Sequence, residues 1–567
     1  MIRGVLSRLR GQPVKTAPKT TGLRYWMARV LDECEQVATN FSADPVHDLR
    51  VSLRRCRSLA DGMIAVDPDP DWKAMKKAGK RLFQRLGALR DVQIMMEWIE
   101  KLHPAAVSVG AGYRSTSLRA GSPALPEEAD HPANSAGLTE PTTNATRDPA
   151  AHLLLQILQA RETEQKREAR AALEEDEFER KQWRQWSKSL PLRAARIRPG
   201  SAVFKHLALE RWTAARELHV RALRNRSQVA FHTLRIGIKR FRYIVENFLP
   251  IELKAWSNDL KHMQDLLGEV HDLDVLWATA LSCHIFPDAT SRQGWHARIL
   301  AERTKRIDEY RRRMVGPDSL WNVWRAGLPQ GKQIQQIAMQ RMKLWAKALD
   351  PDFAHSERVS RLALELYDGL LDTGLLESSN GADARSSLQI AAILHDVGKS
   401  EGNKGHHKVS FELIRSHSNP LGWTPEHLQR AAVVARFHAG ALPTRSHKAL
   451  RDLLPDEQKI TIQLAAILRL ANALDAAHDG HIVRVKIENI NAAKRRTNGF
   501  LRKAVKLAPN EALVIAAEGF VAGSSTAQAV AAERYLLETV LRRPIVVKSA
   551  KRAAPRQVAA GAPTIAS

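Results

Sequence analysis

Apolar side chains recur at helical spacing along most of this chain. Up to about Ala477 they return every three or four positions with charged side chains between them, and strand-like alternation is scarce. From His481 the pattern changes. Three segments show the alternating or continuous apolar residues that are typical of strands, namely HIVRVKIENI, ALVIAAEG and PIVVKS. The segment before the last of them, AAERYLLETVLRR, keeps helical spacing. We therefore predict a mainly α fold that closes with a small C-terminal α+β unit.

Three stretches lack any periodicity and are rich in Ala, Ser, Thr, Gly and Pro. They predict a basic tail at 1–20, a disordered insertion at about 104–149 and a disordered tail at 549–567. The remaining pattern predicts a first helical domain at 21–315, a connecting helix at 316–350, a second helical domain at 351–480 and the α+β unit at 481–548.

An internal repeat divides the first helical domain. VHDLRVSLRRCR at 46–57 recurs in outline as FHTLRIGIKRFR at 231–242. A second match follows the two copies. Lys80 and the segment GALRDV come after the first copy, and Lys261 and the segment GEVHDL come at the corresponding positions after the second. Two copies of one helical unit are therefore predicted, with the insertion inside the first copy.

Each copy carries a stripe of basic residues. On a helix that turns about 100° per residue, the four basic residues of the first copy fall within about 80°, namely His47, Arg50, Arg54 and Arg57. The opposite side is apolar and can pack against a core. The second copy repeats the spacing with His232, Arg235, Lys239 and Arg242.

The charge balance favours a polyanionic partner. The 567 residues include 87 Lys and Arg against 61 Asp and Glu, a formal net charge of +26. Arg can bind phosphate oxygens in a bidentate manner, Lys supplies a point charge and His can donate to phosphate, so the stripes suit a phosphate-rich ligand. The alternative is that they are solvated helix faces. Asp91 and Asp272 could orient the basic side chains, or could cap a helix or make a turn contact.

Nucleic acid is a weaker hypothesis for the partner. The sequence contains no recognisable helix-turn-helix, zinc-finger or RNA-binding signature, and the 6% aromatic content leaves few stacking platforms.

The longest apolar runs fall far short of the roughly 20 residues that span a bilayer, so we expect no membrane span. The basic start MIRGVLSRLRGQPVK lacks the apolar stretch of a secretory signal, and we expect a cytoplasmic protein.

The repeated His, Arg and Lys helices, each followed by a Gly-x-x-Arg/His-Asp turn, resemble the CHAD domain (conserved histidine α-helical domain) over about residues 20–315. The resemblance implies a two-repeat helical bundle that binds inorganic polyphosphate in a basic central channel. The implied polyphosphate-binding residues are His47, Arg50, Arg54, Arg57, Lys76, Lys80, His232, Arg235, Lys239, Arg242 and Lys261.

The second half carries an ordered set of histidines and aspartates, namely His355, His395-Asp396, His406-His407, His438 and Asp475. Nitrogen and oxygen donors of this kind suit a divalent ion such as Mn, Mg, Fe, Co or Ni, whereas the three distant cysteines offer no Cys-x-x-Cys metal site. We expect metal ligation by His355, His395, Asp396 and Asp475, which could leave open positions on one metal. A metal in such a site lowers the pKa of bound water and polarises a phosphoryl oxygen.

The motifs HSERVSRLALELYDGL, AAILHDVGK, HHKVSFELI, ARFHAG and ILRLANALD resemble the HD superfamily of metal-dependent phosphohydrolases. They are more similar still to the C-terminal helical domain of the exopolyphosphatase/guanosine-pentaphosphate phosphatase family, over about 350–548. In that family catalysis belongs to an actin-like N-terminal domain, which has no counterpart in this sequence, so exopolyphosphatase activity is not implied.

We assign catalytic roles to His395, Asp396, His438 and Lys399. His407 and His438 could hold a second metal, donate to substrate phosphates, or be ordinary hydrogen-bonded histidines. Arg358 and Arg469 are, with Lys399, the cations nearest in sequence for orienting phosphate.

The leading hypothesis is a polyphosphate-binding domain joined to an HD-type phosphohydrolase that acts on polyphosphate or a related phosphoester. The alternative is a non-enzymatic polyphosphate-binding protein, associated with polyphosphate granules, whose second domain is inert and serves in dimerisation or anchoring. Phosphorylated nucleotides as ligands, a homodimer, the metal's identity and the preferred polyphosphate length stay open.

Overall fold

The computed structural model describes residues 22–39, 43–103, 148–174, 177–376, 381–488 and 512–550. The predicted tail at 1–20 lies outside these residues, as do 104–147 of the predicted insertion and 551–567 of the predicted C-terminal tail. The described residues are mainly α-helical with one small sheet near the C-terminus, which confirms the predicted fold class. They fall into two compact units.

The first unit comprises the described parts of 1–59, 74–196 and 211–326. The second unit comprises 60–73, 197–210 and the described residues from 327 onward. The helices up to residue 326 are α1 (Leu23–Thr39), α2 (Ala43–Met63), α3 (Pro70–Arg85), α4 (Gly87–Leu102), α5 (Pro149–Glu174), α6 (Glu177–Ala194), α7 (Ala202–Asn225), α8 (Gln228–Phe248), α9 (Pro250–Ser282), α10 (Ala289–Met314) and α11 (Leu320–Ala326).

The internal repeat appears as two helices of equal length, α2 and α8, each of 21 residues. The apolar side of each is buried, as Leu49, Leu53 and Cys56 are in α2 and Leu234 and Ile238 are in α8. The matched segments that follow differ in one respect. The second copy is the continuous helix α9, whereas the first is divided at Leu86 into α3 and α4, although Leu86 itself keeps helical backbone angles.

The predicted connecting helix at 316–350 is two helices. α11 ends at Ala326, and α12 (Lys332–Leu349) begins after five intervening residues. The intervening sequence contains Pro329, which lacks a backbone N–H, and Gly331, whose φ of 51° is unfavourable for other residues. The apolar periodicity before and after this segment predicts one continuous helix, and it does not reveal the break that Pro329 and Gly331 make.

The second unit continues with α13 (Phe353–Asp372), α14 (Gly381–Leu394), a 3-10 helix (Val397–Glu401), α15 (His406–Ser416), α16 (Pro425–Arg436), α17 (Lys448–Arg451) and α18 (Pro455–Leu474). The α+β unit follows with β1 (Arg484–Glu488), β2 (Leu513–Glu518), α19 (Ser525–Glu533), α20 (Tyr535–Leu541) and β3 (Ile545–Ala550).

The three strands form one sheet in the order β1-β2-β3. β1 runs antiparallel to β2, with Arg484 opposite Glu518, and β3 runs parallel to β2, with Ile545 opposite Leu513. The parallel pair needs a crossover, which α19 and α20 supply. The predicted order of strand, strand, helix and strand is thus confirmed.

The core of the second unit is continuous from α12 to β3 and includes Leu388, Ile467, Leu470, Ile515 and Ile545. Helices α14, α16 and α18 pack against one another through small and branched residues that are almost entirely buried. The segments that carry the histidine-aspartate set are therefore attached to a rigid core. None of the described helices combines the length and the apolar content that a membrane span requires.

Candidate metal centre and basic cluster

The buried carboxylate of Asp396 is the centre of the histidine-aspartate set. His395 and Asp396 follow the end of α14 and are 0% and 2% exposed. Asp396 Oδ2 lies 2.5 Å from Lys399 Nζ and 3.4 Å from His395 Nε2. Its Oδ1 lies 3.3 Å from His406 Nε2 and 3.6 Å from His438 Nε2. Burial alone would raise the pKa of Asp396, but Lys399 and the three imidazoles in their protonated form hold it well below its usual range.

Three imidazoles around Asp396 are fixed in the same way. Nδ1 of His395, His406 and His438 each donates to the backbone carbonyl three residues earlier, at 2.8, 2.8 and 2.7 Å. When the ring is neutral, such a hydrogen bond places its proton on Nδ1 and leaves a lone pair on Nε2, beside the carboxylate, free to bind a cation. Hydrogen bonds of this kind orient histidines that bind metals.

The geometry of the Nε2 atoms fits a bound cation. His406 Nε2 and His438 Nε2 are 3.0 Å apart, and two neutral rings with Nδ1–H have no proton to share at that contact. His395 Nε2 is buried and has no hydrogen-bond partner among the described residues. Two groups have ligand atoms within 4.8 Å of one another, His355 with His395 and Asp396, and Asp396 with His406 and His438. Both could hold a divalent ion that prefers nitrogen and oxygen donors.

Gly398 makes this arrangement possible by allowing α15 to approach the 3-10 helix. A Cβ at Gly398 would come within 2.6 Å of Ser410 N and closer still to the carbonyl oxygen of His406. Ser410 Oγ donates to the His395 carbonyl at 2.6 Å and accepts from Gly398 N at 2.9 Å. The glycine and the serine together bring His406 to the side of Asp396.

The structure brings His355, His395 and Asp396 together and places Asp475 differently. His355 Nδ1 donates to Asp475 Oδ2 at 2.7 Å, and its Nε2 lies 4.0 Å from Asp396 Oδ2. Asp475 also accepts from Arg358 Nε at 2.9 Å and belongs to neither of the two candidate groups. In this structure Asp475 therefore orients His355 and is neutralised by Arg358.

Two other cations from the sequence analysis are already engaged by protein groups. Arg469 donates to Glu533 at 2.7 Å and to the carbonyls of Phe437 and Gly440 at 3.1 Å, so it holds the segment that carries His438. Lys399 is paired with Asp396. His406 lies in the cluster but had been assigned no role, because the adjacent pair His406-His407 gives no sign of which ring faces inward.

In the first unit, the basic stripes of the two repeat copies meet around Lys239. Burial, together with positive charge from Arg235, Arg54, Arg57 and Arg50, lowers the pKa of Lys239 to about 7. Three of these arginines belong to α2 and the fourth to α8. The repeat therefore produces one cationic cluster, defined here as Arg50, Arg54, Arg57, Arg235 and Lys239.

Equivalent neighbours support the cluster in each copy. Gly87 and Gly268 lie beside Arg50 and Arg235, whose nitrogens are 3.6 and 3.9 Å from where a Cβ would stand, an ordinary contact distance. Asp91 and Asp272, which follow these glycines, interact with the same arginines. Both aspartates lie inside helices, so of the roles considered for them, orienting the arginines fits better than capping. Burial raises the pKa of Asp272 to about 6, against the effect of Arg235.

Aromatic packing holds two members of the cluster in place. The guanidinium groups of Arg50 and Arg57 lie over the ring of Phe83, at 4.3 and 5.0 Å from its centroid. Arg50 Nη1 also donates to the Phe83 carbonyl at 3.3 Å. Sequence reasoning missed Phe83 because its partner is 33 residues away.

The remaining residues of the predicted polyphosphate site are less closely grouped. Arg242 donates to Glu246 at 2.7 Å, and His232 Nδ1 lies 3.2 Å from His271 Nδ1. Lys76 is half-buried. Three others are exposed, namely His47, Lys80 and Lys261.

Comparison with known families agrees with this organisation. A family model of the CHAD domain matches residues 23–281, and a family model of the Ppx/GppA phosphatase, domain III, matches residues 337–514. No curated protein matches the chain. The resemblances to the CHAD domain and to the C-terminal domain of the exopolyphosphatase/guanosine-pentaphosphate phosphatase family, and their order along the chain, are confirmed.

The metal centre can be tested by its affinity for Mn²⁺. We expect Asp396→Asn to weaken Mn²⁺ binding by more than tenfold, because it removes the shared carboxylate, and Asp475→Asn to have a smaller effect through His355. Titration calorimetry and metal analysis of the dialysed proteins measure both. Asp308→Asn, at an exposed position of α10, is the control. A larger loss in Asp475→Asn than in Asp396→Asn would contradict the assignment.

Proposed function

We propose that this protein, which carries a CHAD domain followed by a Ppx/GppA domain III, binds inorganic polyphosphate and hydrolyses it or a related phosphoester. Binding is assigned to the cationic cluster. Hydrolysis is assigned to the Asp396 cluster, defined here as Asp396 with His355, His395, His406 and His438, as in an HD-type metal-dependent phosphohydrolase. The observation that carries the proposal is the convergence of three imidazole Nε2 atoms on one buried carboxylate.

The cationic cluster supports a phosphate polymer as the ligand. Burial and the four arginines of the cluster lower the pKa of Lys239, and burial, with a contribution from Arg54, lowers that of Arg50. The mutual repulsion of these positive side chains is offset only in part by Asp91 and Asp272. A polyanion with closely spaced charges would relieve this repulsion and accept hydrogen bonds from several guanidinium groups at once.

The Asp396 cluster supplies what phosphoryl hydrolysis requires of a protein. A divalent cation bound there would polarise a phosphoryl oxygen and lower the pKa of water. His395, His406 and His438 are held in one tautomer by backbone carbonyls, so no rearrangement is needed to present their lone pairs. Lys399 Nζ, beside Asp396, is placed to donate to a phosphoryl oxygen and to balance its charge.

A second candidate function is binding without catalysis, with the Asp396 cluster inert and the protein associated with polyphosphate granules. One observation favours it. Each carboxylate of the set is paired with a side-chain cation, Asp396 with Lys399 and Asp475 with Arg358, so both charges are compensated by protein groups alone. This candidate predicts salt-sensitive polyphosphate binding and no turnover.

Incubation of the Mn²⁺-loaded protein with long-chain polyphosphate tests the proposal. We expect phosphate release and shorter chains on a gel, both abolished in Asp396→Ala and unchanged in the control Asp308→Ala. Polyphosphate binding should persist in Asp396→Ala and be lost in the double variant Arg50→Glu/Arg235→Glu. Binding without shortening in the unmodified protein would favour the second candidate, and absence of binding would contradict both.

The titration of Lys239 gives the binding step a pH dependence. A bound polyanion favours the ammonium form, so affinity should fall as the pH rises from about 6 to 8 through the pKa near 7, by at most about tenfold per pH unit. Ionisation of Asp272, with its pKa near 6, also weakens binding as the pH rises, over a lower pH range than the titration of Lys239. His232 and His271 have lowered pKa values and therefore contribute little to the change in affinity between pH 6 and 8.

Lys239→Arg separates these effects, because arginine stays charged throughout the range. We expect the variant to keep its affinity between pH 7 and 8 while the unmodified protein loses affinity. Fluorescence anisotropy with labelled polyphosphate at constant ionic strength measures both curves. Identical slopes in the two proteins would show that Lys239 does not contact the ligand.

A further inference from the structure

Arg436 is a cation beside the Asp396 cluster with an unused hydrogen-bond donor. It lies in the last turn of α16, two residues before His438, and its guanidinium lies 5.5 Å from the centroid of the Phe437 ring. Its Nη1 is buried and has no hydrogen-bond partner among the described residues. Leaving a buried charged donor unpaired is costly, so an acceptor at this position would be stabilising.

His407 is the neighbour of Arg436 on the side of the cluster. Its ring lies 5.7 Å from the ring of His406 and 6.4 Å from that of His438, measured between centroids. Arg436 exerts the largest electrostatic effect of any charged group on His407. Gly440, with φ of +74°, packs against His407, since a Cβ there would lie 3.0 Å from His407 Nε2. The absence of a side chain at Gly440 thus lets the backbone pack directly against the imidazole of His407.

The other cations near the cluster differ from Arg436 in being engaged by carboxylates. Arg358 is paired with Asp475, Lys399 with Asp396 and Arg469 with Glu533. Arg436 Nη1 instead has no hydrogen-bond partner among the described residues, and His407, on which Arg436 acts, lies one ring away from His438. A second phosphoryl group, covalently linked to one held at the Asp396 cluster, would supply the negative charge and the acceptor that Arg436 lacks.

We propose that Arg436 and His407 form a subsite for the phosphoryl group adjacent to the one that is attacked, so that the enzyme prefers phosphoanhydrides to phosphomonoesters. This inference rests on the proposed function and names its substrate class. In the hydrolysis, the oxygen of water bonds to the phosphorus at the Asp396 cluster and the bridging P–O bond breaks. The leaving phosphate keeps the bridging oxygen, and Arg436 balances its negative charge while the protons of water pass to the two products.

Kinetics with two substrates test the subsite. For inorganic pyrophosphate we expect Arg436→Gln to lower kcat/KM by about 10- to 100-fold, the effect of one lost charged hydrogen bond. For p-nitrophenyl phosphate, a monoester, we expect a change of less than about threefold, since it has no second phosphoryl group. Arg436→Lys should recover part of the loss, and Arg415→Gln, exposed and paired with Glu412, is the matched control. Equal losses on both substrates would overturn the proposal.

A structure of the full chain with Mn²⁺ and imidodiphosphate, a diphosphate whose bridging nitrogen resists hydrolysis, gives a readout independent of turnover. We expect one phosphoryl group at the Asp396 cluster and the other within hydrogen-bond distance of Arg436 Nη1. A second phosphoryl group bound elsewhere, or no ligand at the cluster, would overturn the proposal. If the protein hydrolyses neither substrate yet binds imidodiphosphate in this way, the proposed hydrolysis fails and the subsite stands.

Discussion

The cost of burying the ionised carboxylate of Asp396 is the constraint on which the second unit depends. A carboxylate with almost no exposure is stable only when hydrogen bonds and positive charge replace water around it. The 3-10 helix places Lys399 beside it. The end of α14, the start of α15 and the end of α16 each place one imidazole near it, which is a cation when protonated and a ligand for a cation when neutral. Gly398 permits the close approach of α15, and Arg469 holds the segment after α16. The same contacts thus determine how these helices pack and where the functional side chains of the site lie.

The first unit presents the opposite problem. There the repeat places positive charge against positive charge around Lys239, and the pKa of that lysine falls to about 7 as a result of burial and of its four arginine neighbours. Packing on Phe83 and the paired aspartates compensate only part of this cost. Function explains such a cluster more readily than stability does, because a polyanion would supply the missing charge. One unit therefore concentrates positive charge and the other concentrates metal-type donors, a combination suited to phosphate chemistry.

Much of this organisation follows from local sequence patterns. The helical periodicity, the strand alternation after His481 and the duplicated basic motif each depend on residues close together in the chain, and the structure confirms the elements they predict. The remainder depends on contacts between distant residues. Adjacent histidines do not indicate which one faces inward, so His406 was overlooked. The pairing of Asp475 with Arg358 joins helices 117 residues apart, and nothing in either local motif indicates it.

Anomalous diffraction from Mn²⁺-soaked crystals of the full chain tests the account most directly, because it locates the ion without reference to activity. We predict one or two peaks within bonding distance of the Asp396 carboxylate, with ligands drawn from His355 Nε2, His395 Nε2, His406 Nε2 and His438 Nε2. Absence of a peak at Asp396, or a peak bound by Asp475 without Asp396, would contradict the account.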